Sequence, residues 1–315
     1  LDALSLHSPP VGDVTNIDDL VRKIQAWIVE KEIPPGQAVS GGGYDDSLLA
    51  EGRHPTAEDL DRASTDHPIV LTHVSGHLSA VNSAALAASD ITADTADPDG
   101  GHIRRVEGSR RPNGVLEETA SRLVRVDRGA PRTSDETDAL IRESIDVYTA
   151  YGTTTIQDGG TSRQFAEVLH AAADSEPFKA DIAAFVRVGS MEDIDALQYE
   201  ETYRGGVRVA GVKFVLDGSP QGRTAWVTEP YAEGPPGAAP DYRAYGTMDP
   251  DLYKARAAAL IERGVPFLAH ANGDAAMDVM LDGVDEALAG MEVAPDHRSV
   301  IIHAQLMRAD QLDRA

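Results

Sequence analysis

Apolar runs alternate with helical periodicity through the second part of this chain, from about residue 133 onward. Five apolar runs predict strands, at residues 152–158, 180–188, 209–216, 266–271 and 299–303. Five segments with apolar positions at helical spacing predict helices, at residues 133–151, around 165–169, and at 191–203, 250–263 and 274–288. Nearly continuous apolar runs of this length are typical of parallel strands buried on both faces. The pattern therefore predicts an α/β fold, either a doubly wound sheet or part of a (β/α)₈ barrel.

The first 130 residues have a different pattern and show no regular strand–helix alternation. A helix is predicted around Leu20 to Val29, a short strand over 68–73, and an Ala-rich helix entered from Gly76. Turn signals such as Asp97-Pro-Asp-Gly-Gly fill much of the rest. A second turn-rich segment, residues 219–249, separates a predicted strand from a helix, and its length suggests a substrate-covering loop.

Composition narrows the classes of partner. The chain has 315 residues, with 28 Lys and Arg against 52 Asp and Glu, a formal net charge of −24. Such a surface repels nucleic-acid phosphates and anionic lipids, so we expect neither as a partner. The absence of cysteine excludes disulfides and thiolate metal sites. No apolar stretch reaches the roughly 18 residues of a spanning helix.

Polar residues stand at the ends of the predicted strands. Lys213 lies inside an apolar strand, and His270 and His303 close the next two strands. Because parallel strands gather their carboxyl ends at one edge, these three side chains should converge. A buried lysine is costly unless it is paired or neutralised. A carbamate formed from Lys213 and CO₂, with two imidazoles, would hold one or two divalent ions, with Zn²⁺ as the default.

Simpler interpretations stay open for the same residues. Lys213 could instead pair with Asp217 or Asp158, and each strand-end histidine could be a hydrogen-bonded structural residue. His77 is predicted to start a helix, as a cap-region hydrogen bonder or a substrate contact. Among the aromatic residues of the long loop, Trp226 could line an apolar pocket or pack the loop. Five other histidines are interpreted as surface or loop residues: His7, His54, His67, His170 and His297.

Several short motifs, in order, resemble the amidohydrolase superfamily, in the family-3 branch that includes N-substituted formamide deformylase. They are Val212-Lys-Phe-Val-Leu-Asp-Gly-Ser with Arg223-Thr-Ala, His270-Ala-Asn-Gly-Asp, His303-Ala-Gln, and earlier Gly76-His with Val81-Asn-Ser-Ala-Ala-Leu. The resemblance implies a zinc-dependent (β/α)₈ TIM-barrel hydrolase that cleaves non-peptide C–N bonds of a small-molecule amide. It implies carbamylated Lys213, His270 and His303 as catalytic metal ligands, and Asp217 and Arg223 as substrate or supporting contacts.

The same resemblance implies two domains, and it also shows where the chain departs from the family's motifs. Residues 1–130 would be an N-terminal helix with an inserted α+β subdomain, and residues 131–315 a partial barrel of strands two to six. The family's His-x-His pair and its late aspartate are missing, so the chain is expected to be a piece of a longer protein with little turnover alone. Alternatives are a non-catalytic barrel scaffold and a Schiff-base lysine enzyme. A cytoplasmic location is expected, and a homodimer is one compatible assembly.

Overall fold

The computed structural model describes residues 3–235, 237–289, 291 and 296–315. These residues form two compact units that interleave along the chain. The first unit comprises Leu1–Pro131, Gly218–Thr224 and Glu229–Thr247, and the second comprises Arg132–Asp217, Ala225–Thr228 and Met248–Ala315. Most of the predicted loop 219–249 therefore belongs to the first unit. The interpretation of that unit as an inserted subdomain stays a prediction.

The first unit is built on a six-stranded mixed sheet with the order β1-β2-β3-β4-β6-β5. Its elements, in chain order, are β1 (Leu4–Ser5), α1 (Ile17–Glu30), β2 (Val39–Tyr44), α2 (Ala57–Asp61), β3 (Ile69–His73), β4 (Leu78–Val81), α3 (Ser83–Ala88), β5 (Gly101–Arg105), β6 (Pro112–Glu118) and a 3₁₀ helix (Thr119–Leu123). Strands β1, β2 and β3 run parallel, with α1 and α2 in the connections. The prediction that this half lacks strand–helix alternation is therefore wrong.

Asn82 explains where the sequence prediction for residues 76–88 fails. His77 precedes strand β4 and does not start a helix, because the helix begins only after Asn82. The buried Asn82 side chain accepts hydrogen bonds from the N–H groups of Ala85 and Ile69, each at 2.9 Å. The first bond caps α3, and the second holds the end of β4 against the start of β3.

The second unit is built on a five-stranded parallel sheet with the order β11-β10-β9-β8-β7. Its elements are α4 (Ser134–Ala150), β7 (Thr155–Thr161), α5 (Arg163–Ser175), β8 (Asp181–Arg187), α6 (Met191–Asp195), β9 (Val207–Val215), α7 (Pro250–Glu262), β10 (Phe267–Ala271), α8 (Asp274–Leu288), β11 (Val300–His303) and α9 (Ala309–Arg314). Neighbours in space are neighbours in sequence, without the reversal of a doubly wound sheet. This α/β order is consistent with part of a TIM-like barrel.

One predicted helix of this unit is much shorter than its periodicity suggests. Helix α6 ends at Asp195, where the prediction extended it to residue 203. The Arg263 guanidinium donates to the carbonyls of Ile194 and Leu197, at 2.5 and 3.4 Å, and so satisfies the end of the helix. Farther on, the backbone N–H of Glu200 donates to Val209 in β9 at 2.9 Å. A hydrogen bond to the sheet thus takes the place of the further helical turns that were predicted after Asp195.

The main core of the second unit lies between the sheet and helices α7 and α8. Phe214 and Phe267 of the sheet meet Tyr253 of α7 edge to face, with ring centroids 5.3 and 6.4 Å from the tyrosine ring. All three side chains are fully buried. Burial of this apolar area fixes which face of each strand points toward the helices. No helix of the described residues is both long and apolar enough to cross a bilayer.

Candidate functional site

Strand register places Lys213 and His270 on the same face of the parallel sheet. Lys213 pairs in register with Leu268, and His270 pairs with Val215. Because side chains alternate between faces, residues 213, 215, 268 and 270 share one face. Leu268 belongs to an apolar cluster with Phe185 and Ala210, separate from the core under α7 and α8. Lys213 and His270 therefore point away from those helices.

His303 reaches the same place by a backbone turn at the end of β11. Its register partner is Ala271, which lies on the helix-covered face. His303 and Ala304 have φ angles of 78° and 51°, however, so the chain leaves the extended conformation there. The His303 ring contacts the His270 ring, with centroids 4.6 Å apart. Left-handed backbone at non-glycine residues costs about 1–3 kcal/mol and is concentrated at functional sites.

Lys213 is buried, and the described residues place no carboxylate within ion-pair reach of it. Burial, with the positive charge of Arg187 as a smaller cause, lowers the pKa of Lys213 to about 8. Arg187 is the register partner of Lys213 on β8. The alternative that Lys213 pairs with Asp217 or Asp158 finds no support in this geometry. A larger share of neutral amine near neutral pH is the consequence.

Asp217 fixes the loops that follow β9 and β10. Its carboxylate accepts hydrogen bonds from the backbone N–H groups of Trp226, Asn272 and Gly273, at 3.0, 3.0 and 2.7 Å. The residue is fully buried, and its Oδ1 lies 3.5 Å from His270 Nε2. Gly273 is required here, because a Cβ atom would lie 1.8 Å from the Trp226 carbonyl oxygen. These contacts support a positioning role, and direct substrate contact by Asp217 or Trp226 stays a prediction.

His77 and Arg223, the other predicted substrate contacts, lie in the first unit. His77 Nδ1 is 2.8 Å from Glu118 Oε2, and the Glu118 side chain is 4% exposed. Glu118 has φ 49° and ψ −120°, a conformation that costs a non-glycine residue free energy. Arg223 is half-buried, with φ 57°. The predicted substrate roles of His77 and Arg223 stay predictions.

A group that the sequence did not reveal lies in the first unit. Asp46, His54 and His73 are buried, and their ligand atoms all lie within 4.8 Å of one another. Tyr44 and His73 are register partners on β2 and β3, which brings residues 46 and 73 together. His54 and His67, interpreted as surface or loop residues, do lie in loops, but they are buried and not at the surface. No periodicity marks such a group; only strand pairing assembles it.

The distances within the Asp46, His54 and His73 group, and the hydrogen bonds of His73, bear on whether the group can hold a metal ion. Asp46 Oδ1 lies 3.0 Å from His73 Nε2, and Asp46 Oδ2 lies 3.6 Å from His54 Nε2. The Ser75 backbone N–H donates to His73 Nδ1 at 3.2 Å, which favours the tautomer with the proton on Nε2, toward Asp46. Ion binding through Nε2 needs the other tautomer, with Nδ1–H donating to Ser75 Oγ, 2.8 Å away. Burial lowers the pKa of His54 to about 3, so that ring is neutral.

Comparison with known proteins assigns the class. The amidohydrolase family matches the chain over residues 1–315, and the chain belongs to that family. It is 27% identical to YtcJ of Bacillus subtilis (strain 168) over 298 residues, 91% of this chain and 53% of that protein. It is 30% identical to N-substituted formamide deformylase of Arthrobacter pascens over 219 residues, 65% of this chain and 39% of that protein.

A solved structure supports the fold. A metal-dependent hydrolase of Pyrococcus horikoshii OT3, described as uncharacterized, superposes with a TM-score of 0.63 at 20% identity, covering 99% of this chain and 56% of that one. The chain thus spans about half the length of these relatives or less. The family resemblance inferred from the motifs is confirmed, and the likeness to the solved hydrolase shows the fold.

Proposed function

We propose that the intact protein is a metal-dependent hydrolase of non-peptide C–N bonds in small amides, such as an N-substituted formamide. The observation that supports this most directly is the contact between the His270 and His303 rings, with the buried Lys213 on the same face of the sheet as His270. The 30% identity to an N-substituted formamide deformylase suggests the amide class. A scaffold would gain nothing from burying an unpaired lysine.

The donor atoms present fit a divalent ion. We assign His270 and His303 as imidazole ligands and Lys213, once carbamylated, as an oxygen ligand. Nitrogen and oxygen donors without sulfur suit Zn²⁺ and other first-row ions. When bound, such an ion polarises a carbonyl group and lowers the pKa of water, which amide hydrolysis needs near neutral pH.

Lys213 becomes a ligand by a balanced reaction with CO₂. The neutral amine attacks the carbon of CO₂, an N–C bond forms as one C=O π bond breaks with its electron pair moving to oxygen, and one proton leaves the nitrogen for solvent. The lowered pKa of Lys213, about 8, makes the neutral amine available. The carbamate anion would then lie near Arg187, whose positive charge disfavours an ammonium group there.

The rest of the predicted substrate site follows from the loops. Asp217 holds the segments that carry Trp226 and Asn272 in place. We propose Trp226 as an apolar contact for the substrate, and His77 and Arg223 as polar contacts. Each assignment predicts a raised KM with less change in kcat on truncation to alanine.

The test is metal content and activity of the intact protein with Lys213→Ala. We expect loss of bound metal and of amide hydrolysis, whereas Lys254→Ala should change neither. Lys254 is a matched control, because its ammonium group pairs with Glu286 at 2.6 Å on the far helices α7 and α8. ¹³C NMR of protein equilibrated with ¹³C-bicarbonate should show a carbamate signal in the parent protein and in the Lys254 variant only.

Two results would redirect the proposal. Full metal content and activity in the Lys213 variant would refute the ligand assignment. Trapping of Lys213 by borohydride with a carbonyl substrate would instead support Schiff-base chemistry, which needs neither His270 nor His303.

A further inference from the structure

A cavity of about 1130 Å³ lies within the first unit; none of the proposed metal ligands lines it, whereas Arg223, a proposed substrate contact, does. Strands β5 and β6, the start of α2, and parts of the segment 235–246 form its walls. Its size suits a small organic molecule. Asp46 and His54 line one part of it.

The charge of the cavity wall differs from that of the whole chain. Five arginines and four acidic residues line it, whereas the chain has 28 basic and 52 acidic residues. The wall thus collects positive charge in a strongly acidic protein. A local excess of positive charge favours an anionic ligand.

Three of the five arginines are already engaged. Arg53 pairs with Asp59 at 2.6 Å, and Arg111 pairs with Glu58 at 2.7 Å. Arg105 donates through Nη2 to the carbonyl of Thr95 at 2.7 Å, and through Nη1 to a second carbonyl. These three guanidinium groups stabilise the wall and have less capacity left for a ligand.

Arg104 and Arg223 remain incompletely paired. Arg104 contacts Glu117 through Nε, and its Nη2 atom is buried without a hydrogen-bond partner among the residues that the structure describes. Glu117 also accepts a hydrogen bond from the Tyr245 hydroxyl at 3.0 Å. Among the described residues, the carboxylate within ion-pair reach of Arg223 is that of Glu233, 3.7 Å away and 87% exposed, a contact worth little in water.

We propose that this cavity binds a small organic monocarboxylate through Arg104 and Arg223. A planar guanidinium matches a carboxylate by paired N–H···O bonds, and it is the usual partner for one in proteins. A single negative charge fits best, because Glu117 offsets part of the positive charge and would repel a dianion. The side chains of Val115 and Tyr242 give the wall an apolar area for the body of the ligand.

Benzoate and its neutral counterpart benzamide test this binding site by calorimetric titration of the whole chain. We expect benzoate to bind about tenfold or more tightly than benzamide, the equivalent of about one strong hydrogen bond. Arg104→Gln should weaken benzoate binding by about tenfold and leave benzamide unchanged. Added salt should weaken only the benzoate interaction.

Controls make the result decisive. Arg111→Gln, at a lining arginine that is already paired, should leave benzoate affinity unchanged. If circular dichroism shows that the Arg104 variant does not fold, Arg223→Gln carries the test, because Arg223 is 30% exposed. No benzoate binding by the parent chain, equal affinity for benzamide, or an equal effect of the Arg111 change would each overturn the proposal. Both proposals share Arg223, but this test measures benzoate binding and not metal content or hydrolysis, so either proposal can fail while the other holds.

Discussion

The substitution Asp217→Asn tests whether one buried carboxylate organises the loops beside the proposed ligands. The change keeps the shape of the side chain and removes its charge. In the protein, Oδ1 accepts the Asn272 N–H at 3.0 Å, and Oδ2 accepts the N–H groups of Trp226 and Gly273 at 3.0 and 2.7 Å. An amide must present its NH₂ group to one of these two sets of donors.

The expected loss of stability follows from counting the hydrogen bonds that Asp217 accepts. In the less damaging orientation, the amide NH₂ group faces the Asn272 N–H, so this hydrogen bond is lost and two donors oppose each other. The amide oxygen still accepts the hydrogen bonds from Trp226 and Gly273, but it is a neutral acceptor where the carboxylate was charged. Hydrogen bonds to charged groups contribute about 1.5–3 kcal/mol, and an unsatisfied buried donor costs about 1–3 kcal/mol. The free energy of unfolding of the second unit should therefore fall by about 3–5 kcal/mol.

Urea unfolding followed by tryptophan fluorescence measures this loss. The chain has 2 tryptophans, so in a Trp27→Phe background Trp226 alone reports on the second unit. Asp249→Asn is the matched control: Asp249 caps α7 by accepting two backbone N–H groups at 3.0 Å, and Asn caps helices as well as Asp does. A loss below about 1 kcal/mol for Asp217→Asn, or an equal loss in the control, would refute the anchoring role.

Three further predictions concern packing, pH and metal. Gly273→Ala should destabilise the second unit by about 2–3 kcal/mol in urea unfolding, because the added Cβ would lie 1.8 Å from a loop carbonyl oxygen. Gly159→Ala is the control and should be nearly neutral, because the added Cβ would lie 3.7 Å from its nearest neighbouring atom. Burial holds His54 neutral in the folded protein, with its pKa lowered from 6.5 to about 3. Between about pH 6.5 and 3 the unfolded chain therefore binds a proton at His54 that the folded protein does not, so the free energy of unfolding falls as pH decreases through this range. The slope is up to about 1.4 kcal/mol per pH unit, and His54→Gln should flatten it in urea titrations across that range; an unchanged slope contradicts the assignment. His73→Gln should leave the metal-to-protein ratio unchanged while Lys213→Ala lowers it; equal losses would place an ion in the Asp/His/His group.

Elements with strong local signals could be predicted closely from the sequence. Helix α7 begins at Pro250 after the cap Asp249, and α8 begins at Asp274, both at the predicted positions. Strand β9 was predicted over 209–216 and lies at Val207–Val215. Apolar periodicity and helix caps are properties of adjacent residues, so they survive in any tertiary context that buries the same face.

The secondary-structure predictions failed where groups distant in the chain form hydrogen bonds with the backbone. Helix α6 stops early because Arg263, far along the chain, satisfies its last carbonyls. His77 precedes a strand because Asn82 serves both the neighbouring β3 and the start of α3. Neither partner can be identified from local spacing.

The sequence by itself determined the family, the approximate positions of the five strands of the second unit and the placing of Lys213, His270 and His303 at strand ends, whereas the order of those strands in the sheet came from the structure. Tertiary structure alone decided that the His303 backbone turns its ring onto His270, and that His54 joins Asp46 and His73 in a buried group. The reason is physical: alternation and capping are encoded over a few residues, whereas register and left-handed turns depend on the free energy of contacts between segments distant in the chain.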